Sequence, residues 1–399
     1  MSTLRSPISA DDVAAVRRPV DRASLLPARV FHDPEVFAYE QQAWFARSWI
    51  CVGREEDAAA PGEYFVASVA SESLVVVRGR DDVLRAFHNV CRHRGSLIVT
   101  EPQGRLVRFQ CPYHAWTYEL DGALRRAGHT DALVDFEPDE NGLHSASLAT
   151  WQGFVFVAVE PAGALMEQLA DLPQHVERFG IGELRRARSI EYEVHANWKV
   201  IAENYSECYH CPGVHPQLNR LTPYDHGRNL ESDGPWAGGW MELTSDADTM
   251  STDGDSHGRP PLPGLTQEDL RRIHYFVLWP NLLLSLHPDY VMTHRVEPIA
   301  ADRSRVVCEW LFHPDTMALP DFDPSDAVDF WDLTNRQDWN VCELQQAGTR
   351  SRAYVPGRYS LMEDMVHAFD LMVADRYAED GVVTRFRPRH DKWREARSV

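Results

Sequence analysis

Lysine is almost absent from this chain: of its 399 residues only Lys199 and Lys392 are lysines, and arginine supplies the other basic side chains. The 40 basic residues are outnumbered by 60 acidic ones, which gives a formal net charge of −20. This charge argues against nucleic acid or an anionic membrane as the partner. No apolar run is long enough to cross a bilayer, so no membrane span is predicted.

Cysteine is sparse and odd in number, with seven residues, and residues 1–20 contain no apolar signal core. We therefore expect a cytoplasmic protein whose thiols are reduced or bound to metal. The sequence also lacks internal repeats and low-complexity segments, so an ordinary globular organisation is expected.

The length and the pattern of elements predict an α+β protein with two domains. Residues 1–45 look like an N-terminal arm that packs on the C-terminal domain. Residues 46–160 are rich in short strands and fit a small β domain with metal-binding loops at the strand tips. Residues 161–399 mix helices and strands and are predicted to form the second, larger domain.

Hydrophobic periodicity places the individual elements. A helix is predicted over 34–44, and Asp121-Gly122 indicates a hairpin turn. The strands predicted for the first half are 73–77, 84–88, 106–110, 116–120 and 151–159. In the second half we predict helices over 165–179, 198–210 and 323–346, strands over 189–194, 273–278, 282–286 and 305–312, and a long loop or lid over 230–265. The last helix should begin with Asp323 as its capping acid and stop at Gly348.

Two short loops each contain one cysteine and one histidine. Cys91 and His93 stand in the first, Cys111 and His114 in the second, and seventeen residues (94–110) separate them. Two thiolates and two imidazoles are the ligands of a Rieske [2Fe–2S] cluster, in which the cysteines bind one iron and the histidines the other. Tetrahedral zinc is the alternative. It is disfavoured because zinc modules usually pair Cys with Cys and His with His.

The residues that flank these loops support the cluster interpretation. Gly95 would allow the backbone to approach a sulfide closely, and Pro112 would stiffen the second loop. Tyr113 and Trp116 could shield the cluster and form hydrogen bonds near it, which would tune its reduction potential.

A second candidate metal site lies about a hundred residues further on, at His210 and His215. Pro212 and Gly213 stand between them and should end the helix, so we expect His210 in its last turn and His215 in the following loop. Two histidines with one carboxylate form the facial triad of non-haem Fe(II) oxygenases. A single histidine is more often a core or surface residue, but this pair stands downstream of a cluster motif.

Asp338 is the predicted carboxylate ligand, because it lies on a largely apolar helix face where a charge needs a partner. A solvated helix acid is the alternative. Glu207 stands three residues before His210 and would share its helix face. Binding iron is open to Glu207, but accepting the N–H of a histidine ligand is more economical.

Cys208 and Cys211 form a C-x-x-C pair around His210. A redox disulfide is one interpretation. Packing as small apolar side chains is favoured, because no thioredoxin-like context surrounds the pair.

Three segments resemble the oxygenase (α) subunits of Rieske non-haem iron ring-hydroxylating oxygenases, and the resemblance covers nearly the whole chain. They are CRHRG…CPYHAWTY (Cys91–Tyr118), NWKVIAENYSECYHCPGVHP (Asn197–Pro216) and FWDLTNRQDWNVCELQQAG (Phe330–Gly348). The resemblance implies a Rieske domain inserted into a helix-grip catalytic domain. It also implies a ring-shaped homotrimer in which the cluster of one subunit serves the iron of its neighbour.

Glu207 occupies the position that commonly bridges the two centres in this family. Ring dioxygenases usually have Asp there, so Glu207 is more similar to the branch that acts on choline, carnitine and betaine, and the overall pattern most resembles glycine betaine demethylase subunits. The third segment also supports Asp338 as an iron ligand. In that interpretation Glu207, His210, His215 and Asp338 form the catalytic set, and Glu207 connects His114 of the partner subunit to His210.

The implied reaction is an N-demethylation. A separate flavin and iron–sulfur reductase passes NAD(P)H electrons singly to the cluster. One oxygen atom of O₂ enters an N-methyl C–H bond, and the hemiaminal collapses to an amine and formaldehyde.

A quaternary ammonium group is recognised by aromatic faces. Core packing is the alternative role for any one aromatic residue. Candidates near the predicted pocket segments are Tyr205, Trp236, Trp240, Tyr275, Phe276, Trp279 and Tyr290.

Two other functions fit part of the sequence. An aromatic or terpenoid hydroxylase could use the same scaffold. A pure electron carrier could use the cluster alone, but this leaves residues 161–399 unexplained.

Overall fold

The structure is a computed structural model that describes residues 4–384, 386 and 388. The chain folds into two compact units. One is continuous and comprises residues 41–165. The other joins the segment up to Glu40 with the described residues from Met166 onward, and we call it the catalytic unit. The predicted β domain (46–160) lies within the continuous unit.

The continuous unit is built from antiparallel strands. Seven of them form one sheet in the order β1-β10-β9-β4-β3-β2-β5, and three form a small sheet in the order β6-β7-β8. The predicted Asp121-Gly122 hairpin is confirmed between β7 and β8. The strands are β1 Ile50–Arg54, β2 Glu63–Val69, β3 Glu72–Arg78, β4 Leu84–His88, β5 Gln103–Arg105, β6 Phe109–Gln110, β7 Thr117–Tyr118, β8 Leu124–Arg126, β9 Ser145–Trp151 and β10 Phe154–Ala158.

The core of this unit includes the two cysteines of the predicted cluster motif. Cys91 and Cys111 are buried together with Phe87, Phe109 and Tyr118. The first cysteine follows β4 and the second follows β6. The strands therefore deliver both thiols to the edge of one apolar cluster, while the loops that follow them turn back to the surface.

The catalytic unit contains a seven-stranded antiparallel sheet in the order β11-β17-β16-β15-β14-β13-β12. All five residues of its central strand β15 are buried, as the apolar run Leu-Leu-Leu-Ser-Leu predicts. Its strands are β11 Arg185–Val194, β12 Gly227–Asn229, β13 Trp236–Glu242, β14 Arg272–Leu278, β15 Leu282–Leu286, β16 Val291–Ala300 and β17 Arg303–Phe312.

Helices pack around this sheet, and α6 lies in contact with β16, α10 and α11. None of the helices in the described part of the chain is both long and apolar enough to cross a membrane. The helices are α1 Ala10–Val13, α2 Arg29–His32, α3 Pro34–Glu40, α4 Leu165–Leu169, α5 Leu172–Val176, α6 Trp198–Tyr205, α7 Cys211–Val214, α8 Pro216–Leu221, α9 Pro314–Met317, α10 Ser325–Thr349 and α11 Asp364–Ala378.

The predicted loop over 230–265 is wrong in part, because it contains strand β13. Two adjacent glycines, Gly238 and Gly239, weaken the strand signal in the sequence. Tertiary packing explains one of them: a Cβ at Gly238 would lie 2.3 Å from the ring of Phe276 on the paired strand β14. The close approach of two strands, which the sequence alone does not show, requires glycine here.

Helix boundaries also differ from the predictions. Helix α6 ends at Tyr205 and does not reach His210. Helix α10 begins at Ser325, whose N–H donates to the Asp323 carboxylate at 3.0 Å, and it continues through Gly348 to Thr349. One glycine costs a helix only about 1 kcal/mol, which the packing of a 25-residue helix overcomes. Strand β16 and helix α11 are among the elements that were not predicted.

The N-terminal segment is held to the catalytic unit by polar contacts. Arg17 pairs with Asp375 at 2.8 Å, and the N–H of Leu25 donates to the carbonyl of Gly357. At its end, Glu40 accepts from Lys199 at 2.5 Å, and both side chains are fully buried. Further donors to Glu40 are the indole N–H of Trp198 and the hydroxyl of Tyr377.

The buried Lys199–Glu40 pair gives a stability prediction. Lys199→Met should lower the free energy of unfolding by about 3–5 kcal/mol, because it leaves the Glu40 carboxylate buried without its counter-charge. The matched control is Arg29→Met, which breaks an exposed pair with Asp33 and should cost at most about 1 kcal/mol. Denaturant unfolding of both variants measures the difference, and equal costs would contradict the assignment.

Candidate metal centres and substrate cavity

The first Cys/His loop is closed by two backbone hydrogen bonds. The N–H of Cys91 donates to the carbonyl of Ser96 at 2.8 Å, and the N–H of Gly95 donates back to the carbonyl of Cys91 at 3.0 Å. Gly95 has a φ of +71°. Glycine adopts this left-handed conformation, which closes the loop, without the strain that a Cβ would add.

The second loop repeats this pattern residue for residue. The N–H of Cys111 donates to the carbonyl of Trp116 at 2.8 Å, and the N–H of Ala115 donates to the carbonyl of Cys111 at 3.0 Å. Ala115, at the position of the glycine, also has a positive φ, of +57°. The two loops are thus equivalent turns, and each buries its cysteine.

The four predicted cluster ligands all lie in the continuous unit. Cys91 and Cys111 are 3% and 2% exposed and remain free thiols. The rings of His93 and His114 are exposed, with centroids 4.6 Å apart. Burial raises the pKa of Cys111, but the backbone N–H groups of Tyr113 and His114 lower it on balance, which favours the thiolate that binds metal. Buried sulfur donors beside exposed nitrogen donors fit a cluster with unequal ligands.

Tyr118 provides a hydrogen bond that the sequence did not indicate. Its hydroxyl lies 3.3 Å from the sulfur of Cys91 and accepts the N–H of Arg92 at 3.1 Å. The Arg92 N–H occupies one lone pair of the hydroxyl and leaves its proton free to point to the sulfur. Tyr113, which was expected to play such a role, is 58% exposed. Trp116 stacks in parallel on His93, with ring centroids 5.0 Å apart.

In the catalytic unit, the short helix α7 separates the two histidines of the second motif. His210 directly precedes it and His215 directly follows it. The prediction that His210 lies in the last turn of α6 is wrong, because Ser206 already leaves the helical conformation. Glu207 nevertheless contacts His210, through a turn and not along a helix face.

His210, His215 and Asp338 converge. Nε2 of His215 lies 2.8 Å from Oδ1 of Asp338, and Nε2 of His210 lies 3.3 Å from the same oxygen. The three ligand atoms all lie within 4.8 Å of one another. Ligands on one face of an octahedral metal, with bonds of about 2.1 Å, are about 3 Å apart. The donor set and its spacing fit a mononuclear iron.

Each imidazole is oriented from behind by an acceptor. Oε1 of Glu207 lies 2.5 Å from Nδ1 of His210, and Oε1 of Gln337 lies 2.8 Å from Nδ1 of His215. If each Nδ1 carries the proton, each Nε2 is directed to the metal position. The sequence pattern anticipated Glu207 but not Gln337, because the position of Gln337 beside Asp338 on α10 gives no sign of a distant histidine.

Charge at this site favours a bound cation. Burial lowers the pKa of His210, but its hydrogen bonds to Asp338 and Glu207 raise it to about 10 on balance. Burial raises the pKa of Asp338, whereas the two histidines lower it below its usual value. Without metal, a proton on His210 therefore takes the place of the positive charge.

Cys208 and Cys211 form a disulfide that encloses Tyr209 and His210. The favoured interpretation of these residues as packed thiols is wrong. Cys208 directly precedes a turn, and Cys211 is the first residue of α7. Their Cα atoms are 4.9 Å apart, a separation that permits a disulfide bond.

A cavity that is open to solvent includes the three convergent residues in its wall. Of the seven aromatic candidates, Tyr205, Trp240 and Tyr275 contribute to it, while the other four do not. Tyr224 and Trp331 also line it and were not predicted. The remaining wall consists of Asn204, Ser206, Glu207, Cys208, Cys211, Leu218, Gly227, Arg228, Asn229, Gly239, Met241, Thr334, Met362 and Met365.

Comparison with known families agrees with these two sites. Residues 48–137 match the family described as Rieske [2Fe-2S] domain, and residues 181–379 match that described as ring hydroxylating alpha subunit (catalytic domain). The fold and these matches define a Rieske non-haem iron oxygenase. The chain belongs to this family as the oxygenase (α) subunit of a monooxygenase.

Among its relatives is the glycine betaine monooxygenase oxygenase subunit of Chromohalobacter salexigens, at 33% identity over 90% of this chain and 87% of that protein. The carnitine monooxygenase oxygenase subunit of Escherichia coli K12 is 30% identical, over 85% and 87% of the two chains. A solved structure of a quaternary ammonium Rieske monooxygenase has a TM-score of 0.77 at 26% identity and covers 93% of this chain and 99% of its own. It is described as giving insights into carnitine oxidation and inter-subunit electron transfer.

The hydroxyl of Tyr118 should affect the reduction potential of the cluster. Tyr118→Phe removes a donor to the Cys91 sulfur, so the extra negative charge of the reduced cluster is less stabilised and the potential should fall. Redox titration followed by electron spin resonance measures it. Tyr113→Phe is the control, because that side chain is largely exposed, and an equal fall in both variants would contradict the role of Tyr118.

Metal binding in the catalytic unit should depend on pH. Because the pKa of His210 is about 10 without metal, Fe²⁺ must displace a proton at neutral pH. The affinity should rise about tenfold per pH unit between pH 6 and 8. Anaerobic titration against a competing chelator measures this slope. Glu207→Gln, which removes one source of the raised pKa, should flatten it, and a pH-independent affinity would refute the prediction.

Proposed function

We propose that this protein hydroxylates an N-methyl group of a small quaternary ammonium compound of the glycine betaine type and thereby demethylates it. The observation that carries the proposal is a cavity with aromatic walls that reaches His210, His215 and Asp338. Aromatic faces attract a cation that cannot form conventional hydrogen bonds. The names of the betaine and carnitine relatives support the same class of substrate.

We further propose the ligands of both metal groups. Cys91, Cys111, His93 and His114 hold the [2Fe–2S] cluster, and His210, His215 and Asp338 hold Fe(II). When bound, the cluster supplies single electrons and the iron provides the position at which O₂ is activated. Glu207 and Gln337 keep the Nδ1 protons of the two histidines in place, so that both Nε2 atoms stay directed to the metal.

Electrons are proposed to come from a separate reductase that uses flavin, an iron–sulfur centre and NAD(P)H. We also propose a homotrimer, which the inter-subunit electron transfer described for the structure of a quaternary ammonium Rieske monooxygenase supports. In this assembly Glu207 connects His210 to His114 of the partner subunit. Two observations support these roles. The side chain of His114 is exposed, and Glu207 already accepts a hydrogen bond from His210.

The reaction balances with these components. The N–CH₃ group, O₂, two electrons and two protons give N–CH₂OH and water. Cleavage of the C–N bond then releases formaldehyde, a proton and the tertiary amine with one methyl group fewer. The aromatic walls hold the cation and exclude water while this occurs.

Formaldehyde release tests this function. The purified protein with a reductase and NAD(P)H should release formaldehyde from at least one of glycine betaine, carnitine, choline and stachydrine. No release from any of them, together with turnover of an aromatic substrate, would replace the proposal with the aromatic hydroxylase alternative.

His210→Ala separates the two metal centres. It should abolish turnover, because Fe(II) loses a ligand, and lower the iron content from about three to about two atoms per chain. The electron spin resonance spectrum of the reduced cluster should remain, which serves as the control for folding. Full turnover in this variant would place the chemistry elsewhere and reopen the electron-carrier alternative.

A further inference from the structure

The hydroxyl of Tyr275 is buried and has no hydrogen-bond partner among the described residues. The side chain lines the cavity that reaches the metal-binding residues. A buried hydroxyl without a partner is destabilising, so native structures usually satisfy it with protein, water or a ligand. In a substrate cavity, this hydroxyl is available as a hydrogen-bond donor to a bound molecule.

Tyr275 lines the cavity, and strand register directs its side chain to the face of the sheet opposite to that of Arg228. Tyr275 pairs with Gly239 across β13 and β14, and successive residues of a strand point to opposite faces. Trp240, which also borders the cavity, therefore directs its side chain to the other face of the sheet, where Arg272 stacks on it at 4.0 Å. Arg228 pairs directly with Trp240, so its side chain is directed to that face as well.

A neighbouring tyrosine provides the contrast. The ring of Tyr205 meets that of Tyr275 edge to face, with centroids 6.1 Å apart. Its hydroxyl donates to the carbonyl of Leu284 at 2.7 Å and lies 2.8 Å from the hydroxyl of Ser285. Of these two tyrosines of the cavity wall, Tyr205 has its hydroxyl bonded to the protein, and Tyr275 has a buried hydroxyl without a partner among the described residues.

We propose that the Tyr275 hydroxyl donates a hydrogen bond to the carboxylate of the substrate and makes the site selective for quaternary ammonium carboxylates. This inference rests on the proposed function and narrows it. Arg228 is the sole lysine or arginine among the residues lining this cavity, and its side chain faces away. In this proposal the partner of the carboxylate is therefore a neutral donor. Hydrogen bonds to a charged acceptor are about twice as strong as neutral ones, so a ligand ending in an alcohol gains less from Tyr275.

Tyr275→Phe tests the proposal, because it removes the hydroxyl and keeps the ring. Calorimetric titration of the metal-loaded protein under anaerobic conditions, without reductase, measures binding separately from turnover. The Kd for glycine betaine should rise about 10- to 100-fold, whereas the Kd for choline, which ends in a hydroxyl, should change by less than about threefold.

Tyr205→Phe is the matched control in the same wall. It removes a hydroxyl that is bonded to the protein, so the ratio of the two Kd values should stay at the wild-type ratio. Its Tm should fall, whereas the Tm of Tyr275→Phe should not, since no protein hydrogen bond is lost there. An unchanged Tm in Tyr275→Phe also shows that its loss of binding is not a loss of folding.

Two outcomes overturn the assignment of Tyr275. One is a glycine betaine Kd within twofold of wild type, which means that the hydroxyl is bonded to water alone. The other is an equal weakening for glycine betaine and choline, which means a general effect on the cavity. In both cases formaldehyde release by the wild-type protein leaves the proposed function standing. A wild-type protein that neither binds nor demethylates these compounds removes the proposed function, and this inference with it.

Discussion

The imidazoles of His210 and His215 point at the same oxygen, Oδ1 of Asp338, and the metal site depends on this convergence. Two neutral histidines and a carboxylate provide a divalent cation with three ligands and leave the opposite side open. The arrangement is rigid because Glu207 and Gln337 hold the far nitrogens of the rings. Without these two acceptors each imidazole ring could rotate. Part of the free energy of metal binding would then be used to order the rings, so the affinity for the metal would be lower.

The cluster motif relies on a different device, the repetition of one turn. Two loops with identical backbone hydrogen bonds each bury a cysteine and expose a histidine. Burial keeps the sulfur atoms in a medium where the Tyr118 hydrogen bond is strong, while the exposed imidazoles remain accessible to another redox group. The zinc alternative offers no reason for this asymmetry between the two donor types.

Selectivity in the proposed reaction comes from groups that do not bind metal. Aromatic faces attract any small quaternary ammonium ion, so they do not distinguish betaine from choline. Discrimination requires a directional group that meets the other end of the molecule, and we assign this role to the hydroxyl of Tyr275, a residue of the cavity wall. A neutral donor suits a site that already contains the carboxylates of Glu207 and Asp338, because it adds no further charge to compensate.

The sequence by itself determined which residues form each motif, because the spacing within Cys91-x-His93, within Cys111-x-x-His114 and between His210 and His215 is local. It also determined the class of fold, since the resemblance extends over nearly the whole chain. The tertiary structure alone decided which distant residues complete the sites. Gln337 reaches His215 across 122 positions of sequence, and the direction of Tyr275 follows from the pairing of β13 with β14. Such contacts depend on how helices and strands pack, and local periodicity contains no information about that packing.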